Sequence, residues 1–279
     1  MLKLMYITNR PEIAKIAESA GVDRIFVDME YIGKSDRQGG MDTVQSRHTL
    51  EDVANIRNAI SKSSLLVRCN PIHDATDDYS SSETEIDGIV ECGADIIMLP
   101  YFKTATEVER FVKCVGGRAK TMLLVETPEA VEIIDEILKV GGIDEIHIGL
   151  NDLSLGYNKK FMFELLIDGT VEHLCGKFKN VVQSFGFGGI ATIGKGMLPC
   201  EKIIKEHYRL GSATAILSRS FCDVEKVRDI EKIKQIFATG MKDIRDFEKE
   251  CEKHDSNSAF FTDNIKEIQE IVKRIVNAG

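Results

Sequence analysis

Two carboxylates follow neighbouring apolar runs of the chain, and their chemistry suggests a divalent metal ion. Glu126 comes directly after MLLV, and Asp152 lies in GLND after the next run, EIHI. Mg²⁺ typically takes one or two protein carboxylates and completes its shell with water and substrate oxygens. Each acid alone also fits a helix start, as an acid near the N-terminus or as an N-cap. Together the two acids favour a metal site.

An arginine ends another apolar run, LLVR, and offers a planar fork for a carboxylate. Bidentate hydrogen bonding from Arg68 is what recognition of an oxo acid requires. The alternative is a structural ion pair with a nearby acid. Asp28, at the end of IFVD, could be that partner, or could hold a bound water in place.

The histidines show no metal-site spacing, since neither HExxH nor a Cys/His pattern of the zinc type occurs. His73 follows Arg68 in an acidic, Ser-rich loop and is a candidate acid/base, whereas His147 lies inside a strand pattern that also suits a core residue. The other four carry no signal: His48, His173, His207 and His254.

A Gly-rich segment, GGIATIGKG, contains Lys195, and Arg219 follows the next apolar run. This combination resembles the phosphate-binding corner of many barrels, so both residues are candidates for binding an anionic group of a substrate. The glycines alone would equally permit tight turns.

The elements that position these residues alternate between short β-rich runs and helical patterns. Four helix starts carry predicted caps: Asn9 with Pro11 and Glu12, Ser82 with Glu85, Thr104 with Glu107, and Thr127 with Pro128. Continuous apolar runs are typical of strands buried on both faces of a parallel sheet. Eight alternations without GxGxxG after the first strand predict a (β/α)₈ TIM barrel, whose C-terminal strand ends share one face. The predicted strands are Leu2–Ile7, Arg24–Glu30, Ser64–Asn70, Asp95–Leu99, Thr121–Val125, Glu145–Ile148, Phe187–Ala191 and Ala213–Leu217.

The end of the chain predicts a helical extension beyond the barrel. A charged helical run spans 225–253, and an amphipathic helix follows the polar break at 254–259. We therefore divide the chain into a catalytic barrel, 1–253, and a C-terminal helical extension, 254–279. The apolar stripe of the extension carries Ile265, Ile268, Val272 and Ile275. Packing against another subunit is the expected use of this stripe, and covering the barrel's own floor is the alternative.

The bulk composition limits the partners. The chain has 279 residues and a formal charge of −9, which argues against nucleic-acid binding. A signal peptide pattern and a membrane-spanning apolar run are both missing from the sequence. Seven dispersed cysteines without CxxC pairs are typical of a reducing compartment. We expect a soluble cytoplasmic protein that binds neither nucleic acid nor membrane.

Taken together, these segments resemble the HpcH/HpaI aldolase and citrate lyase β-subunit family, the class II, metal-dependent pyruvate aldolases. The resemblance runs from about Lys3 to Phe221, and the combination of VETPEAV with GLNDLS is its most specific feature. It is carried by AGVDRIFVDMEY, LLVRCNP, CGADIIMLPYFKTATEVERFV, LLVETPEAVEIIDEIL and IDEIHIGLNDLSLGY. The family implies a barrel with its last helix exchanged between subunits, assembly as a homo-oligomer (trimer or hexamer), and Mg²⁺, Mn²⁺ or Co²⁺ as cofactor.

The resemblance also implies roles for individual residues. Glu126 and Asp152 match the metal ligands, and Arg68 matches the arginine that contacts the pyruvate carbonyl and enolate oxygen. Backbone amides near Asn151 and Asp152 match those that hold the pyruvate carboxylate. Asp28 matches the acid of the family's D-x-E-H segment.

The chain departs from the family at Tyr31, because the segment reads DMEY where the aldolases carry a histidine. That histidine helps to move the proton on the aldol oxygen. The candidates for its role here are Tyr31 itself, His73, and a bound water or hydroxide oriented from the Asp28 side.

These expectations lead to a metal-dependent carbon–carbon lyase that cleaves or forms a 4-hydroxy-2-oxo acid through a pyruvate enolate. A Schiff base is not expected, since no predicted strand ends in a lysine. One alternative is a lyase or transferase acting on a phosphorylated or acyl substrate, of the phosphoenolpyruvate or CoA type, at the same metal site. The other is a binding subunit whose catalytic site has degraded.

Overall fold

The computed structural model describes residues 1–33 and 48–278, and its strands form a closed parallel barrel in sequence order from β1 to β8. The predicted (β/α)₈ barrel is therefore confirmed. The strands are β1 (Lys3–Ile7), β2 (Arg24–Asp28), β3 (Ser64–Arg68), β4 (Ile96–Leu99), β5 (Lys120–Val125), β6 (Glu145–Ile148), β7 (Ser184–Ile190) and β8 (Thr214–Leu217).

Helices follow the strands and form the outer layer. In the described residues they are α1 (Pro11–Ser19), α2 (Leu50–Ala59), α3 (Ser82–Glu91), α4 (Ala105–Val115), α5 (Pro128–Glu132), α6 (Ile134–Ile137), α7 (Leu150–Gly156), α8 (Glu164–Ile167), α9 (Thr170–Phe178), α10 (Cys200–Leu210), α11 (Ile230–Cys251) and α12 (Ala259–Ala278).

Strand alternation divides the core into two parts. Phe26 and Leu66 point into the barrel with a small apolar cluster, while Ile25 and Val27 join the large core between strands and helices. Because side chains alternate with a period of two, Arg24 and Asp28 share the inward face with Phe26. This alternation explains both the continuous apolar runs and the charged residues at their ends.

The register of β2 and β3 pairs the two strand ends that matter most. Asp28 lies directly opposite Arg68 in the parallel ladder. Both side chains therefore leave their strands at the same level of the barrel interior.

Helix starts follow local capping chemistry in part. Thr104 forms the expected capping box with Glu107, and Thr127 caps α5 ahead of Pro128. The predicted cap at Ser82 is wrong by one residue, because the Ser81 side chain accepts from Thr84 N.

The predicted cap at Asn9 is also wrong. Arg10 occupies the N-cap position of α1 without a side-chain cap, and Asn9 Nδ2 instead donates to Asp52 Oδ1 at 3.3 Å. The side-chain amide of Asn9, which local spacing predicted to cap α1, is thus bound by Asp52 of α2, a residue distant in the sequence. Sequence spacing therefore gives the start of α1 but not its cap.

The C-terminal helix α12 buries part of its apolar stripe against its own chain. Ile268 and Val272 are buried, Ile265 and Ile275 are half-buried, and the helix packs on α10 and α8. Asn264 Nδ2 donates to Lys202 O and to Glu206 Oε1, each at 3.0 Å. The chain thus covers part of the stripe that suggested subunit packing, and helix exchange and oligomer formation stay predictions.

Two further expectations concern thiols and membranes. All seven cysteines are free thiols, and five of them are buried. Within the described ranges, 1–33 and 48–278, none of the helices combines the length and apolar character that crossing a bilayer requires.

Candidate active site

A cavity of about 410 Å³ opens at the C-terminal ends of the strands, the face at which barrel enzymes place their active sites. Residues at the ends of β1, β2, β3, β5, β6, β7 and β8 line it. Its volume lies in the ordinary range for small-molecule sites, about 300–1,000 Å³. Six of the nine predicted site residues lie in its wall: Asp28, Arg68, Glu126, Asn151, Asp152 and Arg219.

Arg68 is held by two acids of the β2 end. Its Nε and Nη2 donate to Asp28 Oδ1 and Oδ2 at 2.8 and 2.7 Å, and its Nη1 lies 3.3 Å from Glu30 Oε2. The guanidinium also stacks over the Phe26 ring, 5.6 Å from its centroid. Burial lowers the pKa of Arg68, but Asp28 and Glu30 outweigh burial and raise this pKa well above its ordinary value. Arg68 is therefore a fixed, permanent cation.

The ion pair does not engage all the N–H donors of Arg68. A guanidinium carries five N–H donors. Asp28 accepts two of them and Glu30 faces a third, and Arg68 still lines the cavity. Structural pairing and substrate recognition, the two alternatives left open by the sequence, are thus compatible in one side chain.

Glu126 is buried at the end of β5, where a strained backbone orients its carboxylate. Tyr101 N donates to Glu126 Oε1 at 3.0 Å, and Tyr101 has a positive φ of 49°. For a residue other than glycine this conformation costs about 1–3 kcal/mol and commonly marks a functional site. On the other side, a Cβ at Gly149 would lie 2.8 Å from Glu126 Oε2, so only glycine leaves room for this carboxylate.

Asp152 reaches the same cavity from the first turn of α7. The N-cap of this helix is Gly149, so the interpretation of Asp152 as a cap is wrong. Asn151 Nδ2 donates to Asp152 Oδ1 at 3.2 Å and fixes one oxygen of the carboxylate. Both predicted metal ligands therefore line one cavity with oriented carboxylates.

The charges of the wall favour a cation. Among the described lining residues, five acids (Asp28, Glu126, Asp152, Asp223 and Glu225) face three arginines (Arg10, Arg68 and Arg219), a balance of −2 with neutral histidines. Carboxylates gathered at low dielectric repel one another unless a cation lies among them.

The donor set fits a divalent ion that prefers oxygen ligands. No group of three or more His, Cys, Asp and Glu side chains with metal-site geometry occurs in residues 1–33 and 48–278. Glu126 and Asp152 instead match an ion that takes two protein carboxylates and obtains its other ligands from water and substrate. Oxygen-only coordination suits Mg²⁺ or Mn²⁺ and disfavours zinc.

His147 lines the deep part of the cavity but is engaged on both sides of its ring. Its Nδ1 lies 3.3 Å from Thr214 Oγ1, and its Nε2 lies 3.2 Å from Gly188 O. Complete burial lowers the pKa of His147 to about 4. His147 is therefore a neutral core histidine, as one of the two interpretations of its sequence position predicted.

Three predicted site residues lie away from the cavity wall. Tyr31 is 46% exposed, and Lys195 is exposed in the loop after β7. The His73 ring lies between two backbone carbonyls, with Nδ1 2.7 Å from Pro71 O and Nε2 2.8 Å from Ser80 O. The structure thus does not bring Tyr31, His73 or Lys195 to the other predicted residues.

Four charged residues or histidines of the wall were missed from the sequence: Arg10, His48, Asp223 and Glu225. His48 directly precedes Thr49, the N-cap of α2, and its Nδ1 accepts a hydrogen bond from Asp28 N at 3.0 Å. Arg10 follows β1 at the start of α1. Because Arg10 follows a predicted strand end, its position could have indicated a site residue. His48 directly precedes a helix, and that position does not indicate a site residue.

Comparisons with known proteins agree with this architecture. The family model for the HpcH/HpaI aldolase/citrate lyase family matches residues 3–166, which is more than half of the chain. No curated protein sequence matches the chain.

Solved structures show the same fold at low sequence identity. An HpcH/HpaI aldolase/citrate lyase family protein from Burkholderia cenocepacia J2315 is 13% identical with a TM-score of 0.62, covering 84% of this chain and 94% of its own. The HpcH/HpaI aldolase from Desulfitobacterium hafniense DCB-2 is 17% identical with a TM-score of 0.59, covering 84% and 93%. Citrate synthase SbnG is 16% identical with a TM-score of 0.59, covering 83% and 92%.

Proposed function

The chain belongs to the HpcH/HpaI aldolase/citrate lyase family, and from that premise we propose that it is a metal-dependent carbon–carbon lyase. Its proposed substrate is a 4-hydroxy-2-oxo acid, cleaved to or formed from pyruvate and an aldehyde through the pyruvate enolate. The observation that carries this proposal is the arrangement of one cavity wall. Glu126, Asp152 and the clamped Arg68 all face the same space.

Glu126 and Asp152 are the residues that would hold the divalent ion. When bound, such an ion polarises the carbonyl and carboxylate oxygens of a 2-oxo acid. The two carboxylates arrive pre-oriented, by Tyr101 N and by Asn151 Nδ2 respectively. Pre-orientation matters because little reorganisation is then needed when substrate enters.

Arg68 supplies the fixed positive charge for the enolate. Breaking the C3–C4 bond leaves an electron pair on the pyruvate half, and negative charge develops on the C2 oxygen. We assign to that oxygen the N–H groups that face neither Asp28 nor Glu30, and the Asp28 clamp holds the guanidinium in place. Electrostatic stabilisation of this kind is commonly the largest single contribution to an enzyme's rate.

The remaining predicted contacts belong to the same proposal. Asn151 and Asp152 are at the start of α7, where the first amides of a helix have no intrahelical acceptor. We assign these amides to the substrate carboxylate. Arg219 lies in the cavity wall beyond β8 and is assigned to the other half of the substrate. Of the two basic residues predicted to bind a phosphate group, Arg219 lines the cavity and Lys195 does not, so the phosphorylated-substrate alternative keeps one of its two predicted contacts.

The test is exchange of the pyruvate methyl protons with deuterated water, followed by NMR, with Mg²⁺, Mn²⁺ and Co²⁺ added in turn. We expect metal-dependent exchange that chelation abolishes. Glu126→Gln and Asp152→Asn each remove a ligand charge, and each should slow exchange at least about 100-fold.

Glu129→Gln is the matched control, because Glu129 is exposed and pairs with Lys103 outside the cavity. It should exchange at the unsubstituted rate. Pyruvate binding without exchange under any of the three metals would instead support the binding-subunit alternative. Exchange that survives in both cavity variants would show that another site holds the ion.

A further inference from the structure

A segment of the cavity wall follows β8 and leads to α11. In this wall segment, 218–225, six of the eight residues line the cavity: Ser218, Arg219, Cys222, Asp223, Val224 and Glu225. In the closed barrel β8 lies opposite β4, and Arg68 and Glu126 stand at the ends of β3 and β5, the two neighbours of β4. The wall segment therefore borders the part of the cavity across the barrel from these two groups.

Tyr6 of β1 ties the wall segment to the barrel. Its side chain is buried, and its hydroxyl donates to Cys222 O at 3.0 Å, across 216 positions of the chain. Burial raises the pKa of the Tyr6 hydroxyl above its ordinary value, and Cys222 and Asp223 add to this effect. The phenol therefore keeps its proton and stays a hydrogen-bond donor to the carbonyl.

Two backbone hydrogen bonds define the start of the wall segment. Ser218 N donates to Ile190 O of β7, and Phe221 N donates to Ser218 O, each at 2.9 Å. The first bond joins the segment to the sheet, and the second closes a turn within it. Beyond this turn, the contact between Tyr6 and Cys222 joins the segment to the sheet again. The wall is thus anchored on both sides of the turn.

The ring of Tyr6 is packed independently of its hydroxyl. Its centroid lies 4.8 Å from that of Phe237 on α11, edge to face, and the Phe237 centroid lies 5.3 Å from that of Phe221. A Cβ at Gly240 would lie 2.7 Å from the Phe221 ring, so glycine at this position lets the ring pack on α11. Because the packing uses the ring and the anchor uses the hydroxyl, Tyr6→Phe removes the anchor and keeps the packing.

From this geometry we propose that Tyr6 is a positioning residue whose hydroxyl fixes the wall segment, and thereby the site that receives the half of the substrate beyond the enolate. The inference rests on the proposed lyase function and identifies what preorganises this part of its cavity. Tyr6 acts through the backbone of Cys222 and is assigned no contact with the reacting atoms. An ordered wall favours binding, because a mobile one has to be ordered when substrate enters.

Tyr6→Phe should weaken binding of the complete substrate without slowing the chemical step. A wall that must be ordered on binding affects the bound substrate and the transition state equally, which raises KM and leaves kcat unchanged. We expect KM for a 4-hydroxy-2-oxo acid to rise about tenfold, with kcat within about twofold of the unsubstituted protein. Steady-state kinetics at saturating Mg²⁺ measure both constants.

Proton exchange of pyruvate is the internal reference, because pyruvate lacks the half of the substrate beyond the enolate. It should stay within about twofold in Tyr6→Phe. The matched control is Tyr208→Phe. The Tyr208 hydroxyl donates to Glu248 Oε1 at 3.2 Å and to Glu252 Oε1 at 3.3 Å, and Tyr208 lies outside the cavity wall. This control also loses a tyrosine hydroxyl, but KM, kcat and pyruvate exchange should all be unchanged.

The anchor is measured independently of activity by backbone hydrogen–deuterium exchange. In Tyr6→Phe the Phe221 amide, which lies in the turn before Cys222, should exchange at least about tenfold faster. The amides of β8 should stay protected, since strand pairing holds them on both sides. Tyr208→Phe should change neither group of amides.

Each remaining outcome decides against the inference or against the function. An unchanged KM in Tyr6→Phe, or unchanged deuterium uptake in the wall segment, would overturn the inference while leaving the lyase intact. A fall in kcat and pyruvate exchange parallel to the rise in KM would show a general loss of structure and overturn it too. Absence of pyruvate exchange in the unsubstituted protein would instead refute the proposed function, and this inference with it.

Discussion

Two arginine–carboxylate pairs lie at opposite ends of the same barrel interior. At the floor, Arg24 Nη1 and Nη2 donate to Glu145 Oε2 and Oε1 at 2.7 and 2.8 Å, and both side chains are almost fully buried. At the top, Arg68 binds Asp28 with nearly identical distances but also faces Glu30 and the cavity. Arg24 and Asp28 are four residues apart on the same face of β2.

The difference between the pairs lies in their charge balance. The floor pair is one cation with one anion, and neither member lines the cavity. The top pair belongs to a wall in which acids outnumber arginines. In barrels the floor serves stability and the upper face serves chemistry. The two pairs have nearly the same hydrogen-bond geometry. We therefore expect the floor pair to affect stability and the top pair to affect turnover, because only the top pair borders the cavity.

Breaking the floor pair should give the largest effect. Arg24→Met leaves the Glu145 carboxylate buried without its partner, which costs about 3–5 kcal/mol of unfolding free energy. Turnover per folded molecule should not change, because the pair lies outside the cavity wall. Denaturant unfolding and active-site-normalised kinetics measure the two quantities.

The double variant Arg24→Met/Glu145→Leu is the control for this floor prediction. It removes both charges and should recover most of the lost stability. If the double variant were no more stable than Arg24→Met, packing rather than charge would explain the loss.

Altering the top pair should instead act on turnover. Arg68→Lys keeps a positive charge opposite Asp28 and Glu30 but loses the planar fork. We expect kcat/KM to fall about 100-fold, equivalent to about 2.7 kcal/mol of transition-state stabilisation, with a stability loss smaller than that of Arg24→Met. Steady-state kinetics and thermal unfolding of the same preparations measure both. Unchanged kcat/KM would contradict the assignment of Arg68 to the enolate.

A smaller effect is expected from the histidine between the two ends. Burial lowers the pKa of His147 to about 4 from its ordinary 6.5. The unfolded chain therefore binds a proton that the folded chain does not, and stability falls as the pH decreases from 6.5 towards 4. By pH 5 this group should cost about 2 kcal/mol relative to pH 7.

The matched comparison for the pH prediction is His147→Gln, which fills the site without titrating. Denaturant unfolding at pH 7 and pH 5 should show a smaller acid loss in this variant than in the unsubstituted chain. His207 is also buried, with its pKa lowered to about 3, and it contributes the same slope to both proteins. Equal acid losses would show that His147 does not titrate as its burial implies.

Local sequence patterns were sufficient for most of the fold. Apolar runs placed every strand, because strands buried on both faces leave few positions for polar residues. Boundaries were less certain, and β7 begins at Ser184 rather than at the predicted Phe187. Its early residues include Gly186, which packs directly against Thr214 of β8, and a glycine in close backbone contact gives no apolar signal.

For this protein the sequence by itself determined which side chains stand at the strand ends. Asp28, Arg68 and Glu126 each end or follow an apolar run. In a parallel barrel the C-terminal ends of all strands lie on one face, independently of the conformation of the loops. Tertiary structure alone placed His48 in the cavity wall and Tyr31 outside it. Tyr31 leaves the wall although it is three residues from Asp28, and His48 enters it from twenty residues away. The physical reason is that strand direction is set by local alternation, whereas the path of a loop is set by contacts between residues distant in the chain.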